Sequence, residues 1–202
     1  MRNNLCMILL LLYNTMNGQA RTGFEEYYYA GRHLSSVPVS RVYYQGSSSW
    51  YGEARYNYEE EKSFSLYAGR TFSRQDTVSY SFTPMAGIVA GKFNGGSAGM
   101  NIALEYRNFF FSSESEYCFS ARSPNFFFNW SELGYQGTKH IYAGLVLQQT
   151  CLYNATTAWE PGVQLDISFG KWVFPVYAFN PWGSKSYFVL GIAREWEHHK
   201  QH

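Results

Sequence analysis

From Trp50 onward, apolar and polar residues alternate. Even positions read Trp50, Gly52, Ala54, Tyr56, Tyr58 and odd positions Tyr51, Glu53, Arg55, Asn57, Glu59, the period of two that marks a strand with one apolar and one polar face. The scheme recurs with Phe64, Leu66, Ala68 and Phe72, then with Val78, Tyr80, Phe82, Ala86 and Ile88. It returns with Ala98, Met100, Ile102, Leu104 and Tyr106, and with Val163, Leu165, Ile167 and Phe169. Breakers stand between: Glu60-Glu61-Lys62, Ser73 to Asp76, Asn94-Gly95-Gly96, Ser112-Ser113-Glu114, Ser123-Pro124-Asn125, Gln136-Gly137-Thr138, Asn154 to Thr157 and Asn180 to Gly183. Gly, Pro, Asn and Ser supply turn dihedrals that strands lack. The spacing predicts ten strands, near 49–59, 63–72, 77–91, 98–111, 115–122, 125–135, 139–150, 160–170, 172–180 and 185–196, with no sustained helical period. A turn centred on Glu61 would set Tyr58 opposite Phe64, Tyr56 opposite Leu66 and Arg55 opposite Tyr67, so that apolar meets apolar. Segment 172–180 is apolar on both faces and contains Pro175, which weakens its strand signal.

The N-terminus reads differently. Residues 1–20 run from Met1-Arg2 through an apolar stretch, Leu5 to Tyr13, to Gly18-Gln19-Ala20. This is the plan of a secretory signal peptide cut after Ala20, and the stretch is far shorter than the ~20 residues of a spanning helix. Residues 21–48, with Tyr27-Tyr28-Tyr29 and Val42-Tyr43-Tyr44, form either a lead-in or additional strands. The predicted organisation is therefore signal peptide 1–20, lead-in or strands 21–48, β-domain 49–196 and a polar tail, 197–202.

Composition narrows the class. Aromatic residues make up 20% of the chain and charged ones 15%, against a usual charged share of about 25%. Sixteen Lys and Arg against fifteen Asp and Glu supply no basic excess for nucleic acid, and the aromatic content excludes disorder. A soluble sandwich and a membrane barrel both produce period two. Four features favour the barrel. Gly and small polar residues, not Lys, dominate the polar faces; aromatics gather at segment ends (Tyr56, Tyr58, Phe72, Phe109 to Phe111, Trp172); the segments are nearly twice the sandwich average; and Tyr187 to Trp196 ends on an aromatic.

On these residues the chain resembles the small outer-membrane β-barrel proteins of Gram-negative bacteria, over about residues 41–196. The resemblance implies an all-β, antiparallel up-and-down transmembrane barrel of about ten strands, within a range of eight to twelve. It further implies a bacterial outer-membrane location, with outer-membrane lipid, lipopolysaccharide and the outer-membrane assembly machinery as partners and a monomer as the state. The closing segment, Tyr187 to Trp196, looks like the aromatic-ended strand such proteins present for assembly.

Candidate chemistry is sparse. The polar faces offer Glu53, Arg55, Glu105, Arg107, Asn129, Gln148, Gln164 and Asp166 as lumen-lining residues, which either pair as packing inside a narrow barrel or line a small pore. His140, the one strand-region histidine, falls about four residues from Asp166 along the predicted sheet, roughly 13 Å at ~3.3 Å per residue, too far for a hydrogen bond along the wall, which leaves only contact across the lumen. The tail histidines His198, His199 and His202 lack a fixed fourth ligand, so no metal and no cofactor is expected. Cys118 and Cys151 are free to form one disulfide or none. The function expected is a structural or narrow-channel role without catalysis. A lipid-modifying barrel enzyme is the first alternative, and a soluble secreted sandwich or small-molecule-binding barrel the second.

Overall fold

The structure is a computed structural model and describes residues 20–31, 37–153 and 155–198. The signal peptide lies outside these residues except for Ala20, as do tail residues 199–202. Thirteen strand segments follow in order: β1 Ala20–Ala30, β2 Pro38–Gln45, β3 Trp50–Tyr56, β4 Ser63–Arg70, β5 Phe72–Arg74, β6 Ser79–Gly91, β7 Gly95–Tyr106, β8 Phe109–Phe119, β9 Phe126–Gln136, β10 Ile141–Leu152, β11 Ala158–Phe169, β12 Trp172–Phe179 and β13 Tyr187–His198. Sequence neighbours pair antiparallel, except β4 and β5, which do not pair with each other, and two further pairings close the ring. β1 runs against β13 from Ala20 opposite His198 to Ala30 opposite Phe188, and β4 runs against β6.

β4 and β5 are two stretches of one barrel strand. Gly69 faces Met85 and Phe72 faces Phe82 in one continuous register along β6. Between them Thr71 is buried; its N–H donates to the Ser49 carbonyl at 2.8 Å and its hydroxyl lies 2.9 Å from that of Thr83. The barrel therefore has twelve strands rather than ten, and the two beyond the predicted set are β1 and β2, drawn from residues 20–45. They pair because Phe24 meets Val42 and Glu25 meets Arg41, which keeps like faces together.

Alternation decides which face points where. Ile88 (65% exposed), Leu145 (61%) and Leu66 (47%) stand on the outer wall, while Tyr51, Tyr67, Met85, Val146 and Val189 are buried inside. Outward aromatics form two bands. Tyr44, Trp50, Tyr106, Phe109, Tyr135, Phe169, Trp172 and Trp196 lie toward the rim that carries both termini. Tyr28, Tyr56, Phe64, Tyr117, Phe119, Trp159 and Phe188 lie toward the other. Connections at the terminal rim (46–49, 75–78, 107–108, 137–140, 170–171) are shorter than most of those opposite (31–37, 57–62, 92–94, 120–125, 153–157, 180–186).

Two local expectations are corrected. The turn predicted at Ser112 to Glu114 lies instead at Arg107-Asn108: Arg107 takes a left-handed φ of 56° and Asn108 donates its side-chain amide to the Gln136 carbonyl at 3.1 Å. Residues 112–114 are thus mid-strand in β8. The β3–β4 register is displaced by two residues, with Tyr56 opposite Phe64 and Arg55 opposite Ser65. The reason is that Asn57 and Lys62, both with φ of 58°, curl residues 57–62 into a loop instead of extending the strands. That loop is tied by Asn57 N–H to the Ser63 carbonyl (2.9 Å) and by Lys62 N–H to the Asn57 side-chain oxygen (2.6 Å). In β12 the pairing with β13 skips residues 174 and 175, since Pro175 has no N–H to give. The two cysteines are free, Cys118 buried in the interior and Cys151 on an outward position of β10.

An outer wall of this composition is expected to meet hydrocarbon. Leu165→Arg, at an exposed apolar position midway along β11, should lower stability in phospholipid vesicles by about 2–4 kcal/mol, read from reversible denaturant unfolding. An unchanged midpoint would mean that this face does not lie in the membrane.

Candidate functional site

The interior is divided. Between β3 and β7 it is packed: Tyr51, Tyr67 and Met85 form one cluster, and Val89, Phe93 and Cys118 a second. Gly87 permits this, because a Cβ there would come within 2.5 Å of the Tyr67 ring. Between β8 and β13, and on to β1 and β2, there is a cavity of about 680 Å³. Its wall runs from Leu152 and Phe126 near one rim to Glu195 and Val173 near the other.

Two arginines organise the packed side. Arg55, only 2% exposed, donates to Glu53 and to Glu116 and reaches Glu59 at 3.4 Å. Its guanidinium lies over the rings of Tyr58 and Tyr67, at 4.2 and 4.4 Å from their centroids. Arg41 donates to Glu114 at 2.6 Å and to Glu25 at 2.8 Å and lies 3.8 Å from Glu53. Tyrosines add further donors to the carboxylates: Tyr51 to Glu53, Tyr58 to Glu114 (2.8 Å), Tyr67 to Glu116 (2.7 Å). A buried charge without such partners would cost several kcal/mol. The network is stable because each acid has a base or hydroxyl within reach.

The 57–62 loop belongs to this network. Tyr58 folds inward to meet Phe128 edge-on at 6.2 Å. Glu59 accepts from Ser65 (2.7 Å) and Tyr67 (3.0 Å), while Glu60 on its outer side accepts from Lys92 at 2.9 Å. Burial pushes the Glu59 carboxyl above its ordinary range against the opposing pull of Arg55, and burial likewise raises the Tyr58 hydroxyl.

The cavity itself is acidic. Glu25, Glu59, Glu60, Glu114, Glu116, Glu132, Asp166 and Glu195 line it, against the inward guanidinium of Arg41. Arg194 is on the outward register opposite Phe24 and Trp172, with its guanidinium 4.8 Å from the ring centroids of Trp172 and Trp196. Aromatic rings share the wall: Tyr27, Tyr29, Tyr43, Phe126, Phe128, Trp130 and Tyr177. Glu132 accepts from the Trp130 indole at 2.7 Å and from Tyr177 at 3.0 Å, and no arginine among the described residues is paired with it.

Of the residues predicted to line the lumen, Glu53 and Arg55 sit at the centre of the network. Gln148 donates to Glu160 at 2.8 Å, the buried Gln164 reaches Glu132 at 3.5 Å, and Asp166 faces the cavity. Glu105 lies on the inward register of β7 but is exposed at the terminal rim. Two are corrected. Arg107 is in the two-residue turn, its guanidinium 5.1 Å from the Tyr106 ring. Asn129 faces outward, because its neighbours Phe128 and Trp130 take the cavity side of β9. His140 lies in the 137–140 turn with Nδ1 3.2 Å from the Ser168 carbonyl. Among the described residues no group of His, Cys, Asp and Glu has the arrangement of a metal site. His198 of the tail instead lies 2.7 Å from the Thr22 hydroxyl.

Sequence reasoning missed Glu25, Arg41, Glu114, Glu116 and Glu132. Once the β7–β8 turn is placed at 107–108, Glu116 falls opposite Gly99 and Glu114 opposite Asn101, and directly opposed residues share a face. A correct turn would have found both.

Two outcomes are expected. Arg55→Ala leaves Glu53 and Glu116 buried without their cation and should destabilise the barrel by about 3–5 kcal/mol, read by unfolding in detergent; a loss under 1 kcal/mol would place the network outside the folded core. Docking of the 57–62 loop should strengthen on acidification. The docked Glu59 binds its proton more readily than an exposed glutamate, so the docked state gains below the ordinary carboxylate range and loses that gain as pH rises through the raised value. Hydrogen exchange at amides 57–62, corrected for intrinsic rate, should show this dependence, and Glu59→Gln should abolish it.

No protein-family model matches the chain, and no curated protein matches it. Solved structures do share its fold. A KdgM porin in complex with disordered oligogalacturonate superposes with a TM-score of 0.60 at 12% identity, covering 86% of this chain and 98% of that one. KdgM porin gives 0.59 at 11% identity over 89% and 99% of the two chains. The chain has the closed antiparallel barrel fold of these porins, in keeping with a small outer-membrane β-barrel.

Proposed function

We propose that this protein is a narrow outer-membrane channel whose lumen favours cations and repels polyanions. The observation that carries the reading is the cavity: eight carboxylates against the inward guanidinium of Arg41, on a wall that extends between the two rims. The chain as a whole is nearly neutral, at +1, so the acid excess arises from the sorting of charges between faces. Negative walls of low dielectric concentrate counter-ions and exclude like charge. The interleaved rings suit the apolar faces of organic cations and neutral sugars, with cation–π attraction of ~0.5–2 kcal/mol per contact.

The outer wall supports a membrane setting, since its aliphatic belt lies between two aromatic bands, the arrangement of a transmembrane barrel. On this reading the termini and short turns lie in the periplasm and the 57–62 loop faces the exterior, where it narrows the mouth. Lipid and lipopolysaccharide then contact the belt, and the aromatic-ended β13 is the strand offered to the assembly machinery. The neighbouring porin's complex is with oligogalacturonate, a chain of carboxylated sugars that an acid-lined lumen would oppose. The cargo of this protein is correspondingly of different charge.

Planar-bilayer recording in a salt gradient tests the channel. The expected reversal potential shows cation preference, reduced by Glu132→Gln with Asp166→Asn, and Tyr58→Ala should raise conductance by freeing the mouth. Anion preference, or a folded barrel that never conducts, would overturn the proposal.

A further inference from the structure

Three buried oxygens on the inner wall have no hydrogen-bond partner among the described residues: Oε1 of Gln164, Oδ1 of Asp166 and the hydroxyl of Tyr142. Register places them in one inward-facing cluster. Asp166 on β11 is directly opposite Tyr142 on β10. Gln164, two residues along the same face of β11, is opposite Gly144 on one side and Tyr177 of β12 on the other. Gln164 is only 4% exposed. Its Nε2 reaches across β10, where its neighbour Gly144 has no side chain, to Oε2 of Glu132 on β9 at 3.5 Å, so the amide lies between the two acids. Oε1 of Glu132 takes the Trp130 and Tyr177 donors, whereas Oε2 has only the 3.5 Å contacts of Gln164 and Ser112. Glu132, Asp166 and Tyr177 open onto the cavity.

We propose that this cluster binds the ammonium group of a primary amine, whose apolar body lies on the rings of Tyr177 and Trp130. The proposal narrows the cation-favouring lumen to one solute class and rests on that reading for the route by which the solute arrives. Buried acceptors are normally matched by donors. An ammonium supplies three N–H donors and a positive charge, and Oε1 of Gln164, Oδ1 of Asp166 and Oε2 of Glu132 are three acceptors, two of them on carboxylates. Charge-assisted bonds of this kind are roughly twice as strong as neutral ones. A calcium-like ion takes about six to eight oxygens, several of them from carboxylates, and two acids supply less than that. The rings beside the cluster suit an organic body. Tyr177 meets Trp130 edge-on with centroids 5.0 Å apart and Tyr27 at 6.4 Å, and Pro175, opposite Asp166, continues the apolar wall with Val173.

Isothermal calorimetry on the full chain, folded in zwitterionic detergent micelles at neutral pH, tests this with benzylammonium, benzyltrimethylammonium and benzyl alcohol. The trimethyl compound keeps the charge and the ring but has no N–H, and the alcohol keeps the ring without charge. Benzylammonium should bind about tenfold or more tightly than either. Gln164→Leu and Asp166→Asn should each weaken its binding by about tenfold, with heat-modifiable gel mobility unchanged as the guard against a folding defect. Equal affinity for benzylammonium and its trimethyl analogue overturns the inference, because lumen charge and rings alone would then account for binding. So does undiminished affinity in both variants. The reversal potential of the unmodified barrel separates this inference from the reading beneath it: cation preference without discrimination between the two amines overturns the ammonium site alone, whereas anion preference overturns both.

Discussion

Closure of the ring is the constraint from which the rest follows. A sheet with an open edge exposes a row of unpaired N–H and C=O groups, which a bilayer cannot satisfy, and only a closed barrel removes the edge. Here β1 closes on β13 along its whole length, from Ala20 opposite His198 to Ala30 opposite Phe188, so the N-terminal stretch is structural rather than a lead-in. Closure brings Glu25 and Arg41 into the interior beside Glu114, far away in sequence. Without β1 and β2 the interior would lack the base that holds Glu114.

Once closed, the barrel must fill its interior, and it does so unevenly. The side from β3 to β7 is packed around Arg55, Tyr67 and Met85, whereas the opposite side keeps a cavity. Arg41 and Arg55 pair on the packed side with Glu53, Glu114 and Glu116, which leaves Glu132 and Asp166 facing the cavity without an arginine partner among the described residues. The sorting of paired from unpaired acids turns a nearly neutral chain into an acid-lined lumen. The same inward-folded loop that completes the packing, through Tyr58 and Glu59, also stands at the mouth.

The strand pattern was readable where one face is aliphatic and the other polar. From Trp50 to Ile88, and again at Val163 to Phe169, the polar side of the alternation holds Glu53, Arg55, Gln164 and Asp166, of which the first three are buried inside and the last faces the cavity. It failed in β8 and β9, where rings occupy both faces: Phe126, Phe128 and Trp130 point in while Phe127 and Tyr135 point out. There hydrophobicity carries no information about direction, and Asn129 was placed on the wrong side. The serines of β8 look like turn residues and are strand residues, because the turn was made by Arg107 and Asn108 two strand positions after Glu105.

Period two, turn-forming clusters and scarce charge determine by themselves an all-β antiparallel barrel with an apolar exterior, since those features depend only on near neighbours along the chain. The number of strands, the side on which a mixed strand turns its rings, and the pairing of Arg41 and Arg55 with their acids were decided by tertiary structure. Each depends on register between strands, and register is set by which turn residues adopt left-handed backbone and by the closing contact between the two ends of the chain.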